Sequence, residues 1–165
     1  MKHSSYSQYK SPKGFSLLEV LVVLAIAGTL ITFAIPSFRD FGARQNITNQ
    51  TNSLITDINF AKVKAVKLGQ RVVIQSKSGI NWSDGWEIYI DADRNNVRAG
   101  AGEILFRSED SVTTTLTADN DFIGFDELGS AQPSGAVSIT NTHAGTSGSS
   151  TITISLSGMV SSYTL

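Results

Sequence analysis

Residues 15–35 read FSLLEVLVVLAIAGTLITFAI, a run of 21 residues in which Glu19 is the only charged side chain. A helix of about 20 apolar residues spans the ~30 Å hydrocarbon core of a bilayer. The preceding residues 1–14 are polar and contain three lysines and no acid. Because a positively charged flank stays on the cytoplasmic side, the run predicts a membrane helix with the rest of the chain on the outer side.

Three interpretations of this segment compete. It is a secretory signal cleaved after Ala25-Ile26-Ala27, a plain membrane anchor, or a signal cut between Gly14 and Phe15 whose apolar part is retained. Glu19 favours the third, because a carboxylate in hydrocarbon costs several kcal/mol unless a cation neutralises it. Cleavage after Gly14 would create an amino group on Phe15, four residues before Glu19 and one helical turn away.

The stretch Lys13-Gly14-Phe15-Ser16-Leu17-Leu18-Glu19 resembles the processing motif of type IV pilins and type II secretion pseudopilins. Pro36 sits where that family usually has a proline within its long helix. The resemblance implies that a prepilin peptidase cuts after Gly14 and methylates Phe15. It also implies that Glu19 pairs with the amino terminus of a neighbouring subunit during assembly, and that Pro36 belongs to the assembling helix.

After Pro36 the apolar side chains follow a helical stripe with alternating spacings of four and three residues, namely Ile47, Thr51, Leu54, Ile58, Ala61, Ala65 and Leu68. Gly69 is a stop signal just beyond the stripe. The pattern predicts one helix over Phe15–Leu68, apolar all round in its first half and amphipathic in its second. Pro36 removes one backbone hydrogen bond and is expected to kink or loosen this helix.

From residue 70 the apolar side chains alternate with a period of two. This pattern predicts strands at Gln70–Gln75, Gly85–Asp91, Glu103–Ser108, Val112–Thr117, Asp121–Phe125, Ala136–Thr140 and Thr151–Leu156. The predicted fold class is α+β and pilin-like, with a long N-terminal helix on an antiparallel sheet. The segments are a leader peptide (1–14), a transmembrane and filament-core helix (15–35), the amphipathic half of the helix (36–69) and a β-rich head (70–165).

Two further tracts, Pro36–Phe41 and Trp82–Asp91, are similar to those of the FimT/FimU minor pilins, whose head domain is shared with the pseudopilin GspH. The resemblance implies a minor pilin that initiates or caps a type IV pilus. The alternatives are a GspH-type pseudopilin of a type II secretion system, and a tip adhesin or DNA-uptake pilin. The implied partners are prepilin peptidase and other pilins or pseudopilins. The implied location is the inner membrane, crossed once with a periplasmic head, and then the filament tip.

Composition argues against most enzyme chemistry. The 165 residues contain no cysteine and two histidines, so thiolate sites are absent and a histidine-ligated metal centre is not expected. No Lys or Arg follows Arg107, whereas six Asp and Glu lie between residues 108 and 127. The stretch Ile154–Val160 resembles the element through which some family members bind DNA, but no arginine follows its Gly158. We therefore expect no enzyme activity, no cofactor and no DNA binding.

One loop has the oxygen ligands of a weak calcium candidate, with Asp91, Asp93 and Asn95 at alternate positions. An EF-hand loop needs Gly at its sixth position and Glu at its twelfth, and neither is present here. Turns formed by Asx side chains explain the pattern equally well, so no metal is assigned. The nearby Trp82 and Trp86 are expected to fill the core rather than to form a recognition surface.

Overall fold

The structure is a computed structural model that describes residues 14–99, 102–133, 137–143 and 148–164. The chain divides into two compact units between Phe38 and Arg39. The first unit contributes the beginning of the only long helix in the described residues, α1 (Leu17–Leu68). The second unit contains the rest of α1 and all the described strands.

Helix α1 ends as its sequence predicts. Gly69 adopts a positive φ of 61°, and the Gln70 amide donates to the Ala65 carbonyl at 3.3 Å. This is the hydrogen bond of a Schellman cap, in which glycine takes the left-handed position at low steric cost. Leu68, predicted to complete the buried stripe, is instead 44% exposed because the helix ends there and the chain turns away at Gly69.

The rest of the predicted stripe is confirmed. Its members lie on the face of α1 that packs on the sheet, and all are buried: Ile47, Thr51, Leu54, Ile58, Ala61 and Ala65. The apolar members from Leu54 onward form one hydrophobic core with apolar residues from the strands. Burial of this face, rather than helix propensity alone, holds this half of the helix in place.

The nine described strands form one antiparallel sheet. They are β1 (Val72–Ser78), β2 (Asn81–Ile90), β3 (Leu105–Ser108), β4 (Thr115–Ala118), β5 (Phe122–Phe125), β6 (Ala131–Gln132), β7 (Val137–Thr142), β8 (Ser149–Ile154) and β9 (Val160–Thr164). Their spatial order is β6-β5-β1-β2-β4-β7-β8-β9, and β3 also pairs with β2. The predicted α+β architecture is confirmed.

The sequence prediction overlaps seven of these strands and misses β6 and β9. Strand β6 has only two residues, which is too short for a periodic pattern. Strand β9 is exposed on both faces from Ser161 to Thr164, so alternation between core and solvent is absent. Periodicity detects a strand only when one of its faces is buried.

Both tryptophans of β2 are fully buried, which confirms their predicted place in the core. Gly85 lies between them with a φ of 96°, and a Cβ atom there would overlap the carbonyl oxygen of Glu109. Only glycine meets both the dihedral and the close backbone approach at this position.

The apolar side chains at the start of α1 are exposed. From Phe15 to Ile31 the large ones retain 48–83% of their accessible surface, including Leu17, Val23 and Leu30. Among the residues that the structure describes, no helix has the length and apolarity required to cross a membrane.

Candidate functional site

The predicted processing junction lies immediately before the helix. Gly14, Phe15 and Ser16 are outside α1 and exposed, and Phe15 retains 83% of its accessible surface. A peptidase must bind its substrate in an extended form, so a bond in a helix would first have to unwind. The Gly14–Phe15 bond is already in non-helical backbone, which suits the predicted cleavage.

Glu19 lies in the first turn of α1, next to the same junction. Its backbone amide donates to Ser16 Oγ at 3.2 Å and to the Ser16 carbonyl at 3.1 Å. The spacing Ser-x-x-Glu is that of a capping box, which marks the start of a helix. The prediction made from the charge of Glu19 does not use this signal. An acidic side chain in the first turn also interacts favourably with the helix dipole. Helix capping is thus a second physical reason for a glutamate at this position.

Phe15 and Glu19 line the same surface groove. The groove has a volume of about 250 Å³, and its other lining residues are Val20, Val23 and Leu24. Glu19 is exposed at this groove. A cation brought by another molecule can therefore reach its carboxylate, with apolar side chains on either side.

Pro36 lies within the bounds of α1, which continue to Leu68. The side chains of residues 33–37 lie outside the described part of the structure. The kink predicted at Pro36 therefore stays a prediction.

The residues of the calcium candidate, Asp91, Asp93 and Asn95, lie in a loop that is stabilised by its own hydrogen bonds. Asp93 Oδ2 accepts a bond from Asn95 Nδ2 at 2.7 Å, and Asp91 Oδ1 accepts one from the Asn95 amide at 3.1 Å. Asn95 Oδ1 in turn accepts from the Val97 amide at 2.6 Å. The last of these bonds forms an Asx turn, and the bond from the Asn95 amide to Asp93 Oδ1 at 3.2 Å forms another. Asx turns are the alternative that the sequence left open.

A carboxylate cluster also occurs here, and it adds Glu103 to the two predicted aspartates. Ligand atoms of Asp91, Asp93 and Glu103 all lie within 4.8 Å of one another. Arg71 forms an ion pair with the buried Asp91 at 3.0 Å and supplies the positive charge that a cation would otherwise bring. Arg71 is also buried, and its Nη2 donates to Asn96 Oδ1 at 2.6 Å. The ion pair and the hydrogen bond of Arg71 therefore stabilise this acidic loop.

A second buried charge, missed by the sequence analysis, connects α1 to the sheet. Asp57 on α1 accepts a hydrogen bond from the indole Nε1 of Trp86 at 2.9 Å, and its other oxygen pairs with Arg107 of β3. The Arg107 guanidinium also stacks over Phe60, with 3.9 Å between its carbon and the ring centroid. A buried indole N–H requires an acceptor, and a carboxylate on the facing helix provides one.

The region compared with the DNA-binding element forms the turn between β8 and β9. Gly158 has a φ of 68°, and Lys62 of α1 donates to the carbonyls of Ser157 and Gly158 at 3.2 and 2.8 Å. The turn carries no side-chain cation of its own, and the nearby lysine is engaged by these carbonyls.

Comparison with known proteins gives two family matches. Residues 50–158 match the family described as Type II transport protein GspH, and residues 9–35 match the prokaryotic N-terminal methylation motif. The second match includes the Gly14–Phe15 junction and Glu19. The first includes the amphipathic end of α1 and all the described strands except β9.

Individual relatives agree with these matches. A fimbrial protein of Pseudomonas aeruginosa is 34% identical over 64 residues, which is 39% of this chain and 41% of the relative's length. The type IV major fimbrial protein FimA of Dichelobacter nodosus is 26% identical over 110 residues, 64% of this chain and 69% of that protein.

The fold is similar to that of a solved structure. The crystal structure of the Pseudomonas aeruginosa type IV minor pilin FimU superposes with a TM-score of 0.59 at 18% identity, over 70% of this chain and 91% of FimU. A second crystal form of FimU gives a TM-score of 0.61. The helix, the sheet and the two sequence matches lead to one conclusion: the chain belongs to the GspH family and carries the N-terminal methylation motif of pilin-like proteins.

Proposed function

We propose that this protein is a minor pilin that initiates or caps a type IV pilus, as a structural subunit matured by a prepilin peptidase. The observation that carries the proposal is the placement of Glu19 beside Phe15 on one groove, next to an exposed junction. The methylation motif over residues 9–35 supports cleavage after Gly14 and methylation of Phe15. The role is structural rather than catalytic.

The physical basis of assembly is helix packing around a paired charge. Exposed apolar side chains between Phe15 and Ile31 would be removed from water or lipid when neighbouring helices bundle. In that low-dielectric bundle an isolated amino terminus or carboxylate is costly, whereas the two together neutralise each other. The Glu19 carboxylate would accept the terminal amine of a neighbour, which favours one axial register between subunits.

The proposed location before assembly is the inner membrane, with the head in the periplasm. The lysines of residues 1–14 and the apolar run that follows support this orientation. The proposed partners are the prepilin peptidase, other pilins or pseudopilins and the membrane itself. After assembly the protein would lie at the filament tip.

Mass spectrometry of the protein recovered from its own cells tests the maturation step. We expect a mature terminus at Phe15 that carries one methyl group. An intact Met1, or a terminus at Gly28 as a secretory signal would produce, would contradict the proposal.

Substitution of Glu19 separates charge pairing from helix capping. Glu19→Gln removes the negative charge but keeps a side chain that can complete the capping box, whereas Ser16→Ala removes the capping oxygen and keeps the charge. We expect Glu19→Gln to abolish incorporation into sheared filaments, while Ser16→Ala retains most of it. Equal losses in the two variants would indicate that Glu19 acts only through the helix end.

The second candidate function is a GspH-type minor pseudopilin of a type II secretion system. The family match over residues 50–158 favours it, because that family is described as a type II transport protein. Deletion of the gene distinguishes the two functions. Loss of surface pili with normal secretion supports the pilus, and loss of secreted enzymes with normal piliation supports the secretion system.

A further inference from the structure

Strand β9 forms one edge of the sheet. Within the described residues it pairs only with β8, in an antiparallel register from Val160 opposite Ile154 to Thr164 opposite Ser150, without a bulge. Residues 161–164 are exposed on both faces of the strand. The outer side of β9 therefore presents a regular row of backbone groups that is accessible to another chain.

The hydrogen-bond pattern identifies which backbone groups face outward. The Ser155 amide donates to the Met159 carbonyl at 2.9 Å, so this pair is of the hydrogen-bonded kind. Hydrogen-bonded and non-hydrogen-bonded pairs alternate along an antiparallel ladder. Ser161 and Tyr163 thus bond to β8, whereas the amides and carbonyls of Val160, Ser162 and Thr164 face the open side.

The edge lacks the features that usually prevent strand addition. Natural edge strands are protected by lysines, prolines, bulges or inward-pointing charges. No Asp, Glu, Lys or Arg occurs among the 38 residues from Leu128 to Leu165, and β9 contains no proline. Exposed apolar side chains flank the edge, with Met159 at 65% and Tyr163 at 56% of their accessible surface.

We propose that the open edge of β9 receives an extended, uncharged strand from a different polypeptide of the same filament, which adds to the sheet. Val160, Ser162 and Thr164 would recognise its backbone, while Met159 and Tyr163 would contact its side chains. An uncharged strand fits because the described residues of β9 carry no charged side chain, and the lysine at the preceding turn, Lys62, is engaged by backbone carbonyls.

A second copy of this chain fits less well, an argument that rests on the proposed function. Two β9 strands paired antiparallel are related by a two-fold axis perpendicular to the sheet. Because α1 packs on one face of that sheet, the α1 helices of the two copies would run in opposite directions. Subunits of one filament need helices with a common direction, so a β9–β9 pair does not fit the filament, and we assign the added strand to another protein.

Ser162→Pro tests the proposal in the full-length protein. Proline removes an outward-facing amide and places its ring on the open side, yet leaves the bonds between β8 and β9 intact. Ser162→Ala keeps the amide and is the matched control. Each variant is expressed as the sole copy in the native cells, and its amount in sheared filaments is measured by immunoblot.

We expect Ser162→Pro to reduce incorporation about tenfold, the effect of one lost backbone hydrogen bond and a blocked edge, with an unchanged melting temperature. Ser162→Ala should incorporate normally. If the proline variant is unstable, Ser162→Lys, which keeps the amide but charges the edge, should show the same reduction. Normal incorporation of a folded Ser162→Pro or Ser162→Lys variant would overturn the inference and leave the proposed function intact.

The identity of the occupant is tested separately. The chain has no cysteine, so Ser162→Cys introduces a unique thiol at the centre of the edge. A disulfide-linked homodimer in filaments would overturn the assignment to a different polypeptide. Replacement of Val160 by a photo-crosslinking residue should give an adduct with another filament subunit, which Ser162→Pro abolishes. Absence of the wild-type protein from any filament would refute the proposed function and the inference together.

Discussion

Asp57→Ala is the substitution that best tests how the helix is coupled to the sheet. Asp57 retains 6% of its accessible surface and accepts from the fully buried indole of Trp86 while it pairs with Arg107. The substitution deprives both partners of their acceptor at once. It leaves the buried indole N–H without its carboxylate acceptor.

The two lost contacts differ in magnitude. A buried donor left without a partner costs about 1–3 kcal/mol. The Arg107 side chain is 45% exposed and can be rehydrated, so its ion pair contributes about 1 kcal/mol or less. We therefore expect Asp57→Ala to lower the free energy of unfolding by about 1–4 kcal/mol. Asp57→Asn keeps an oxygen for Trp86 but turns an amide donor towards Arg107, so we expect a smaller loss of about 1–2 kcal/mol.

Urea unfolding of residues 39–165 measures these losses, because every buried core residue of the described chain lies within that unit. In a Trp86→Phe background, which lacks the indole donor, Asp57→Ala should lower the free energy of unfolding only by the contribution of the ion pair with Arg107. Asp110→Ala is the control, since that carboxylate is fully exposed and should be neutral. An Asp57→Ala loss that is equal in the wild-type and Trp86→Phe backgrounds would refute the assignment of its energy to the indole bond.

Three further predictions concern other buried groups. Asn141→Ala removes the bonds from Nδ2 to the Ile47 carbonyl and to Thr51 Oγ1, both 3.0 Å, and should cost about 2 kcal/mol in the same urea assay. Gly85→Ala should cost about 3 kcal/mol or prevent folding, since its Cβ would overlap a backbone carbonyl at positive φ; a melting temperature equal to wild type would contradict this. Burial raises the pKa of Tyr89 above its ordinary 10.0, so the unfolded chain loses this proton at a lower pH than the folded one. Stability should fall as pH rises above about 10, and Tyr89→Phe should reduce that fall.

Much of this protein is encoded by local patterns. The apolar run with its single acid, the four-and-three spacing of the helix and the glycine at its end each depend on neighbours within a few residues. Such patterns predict α1 to within two residues at its start, because helix periodicity and capping are local properties. The burial of the two tryptophans is predictable for a similar reason, since large apolar side chains near a strand end cover the core.

Tertiary structure alone decided which distant residues meet. Asp57 and Trp86 are 29 positions apart, and nothing in the local pattern of either indicates a shared hydrogen bond. The same holds for Arg71 beside Asp91 and for Glu103, which lies close to the two aspartates of the loop. Strand β9 is another feature that the sequence does not indicate. Its exposed residues show no periodic pattern, and only its pairing with β8 makes it the edge of a sheet. Pairing partners and sheet edges arise when the chain closes over long sequence separations, so no short window of residues contains them.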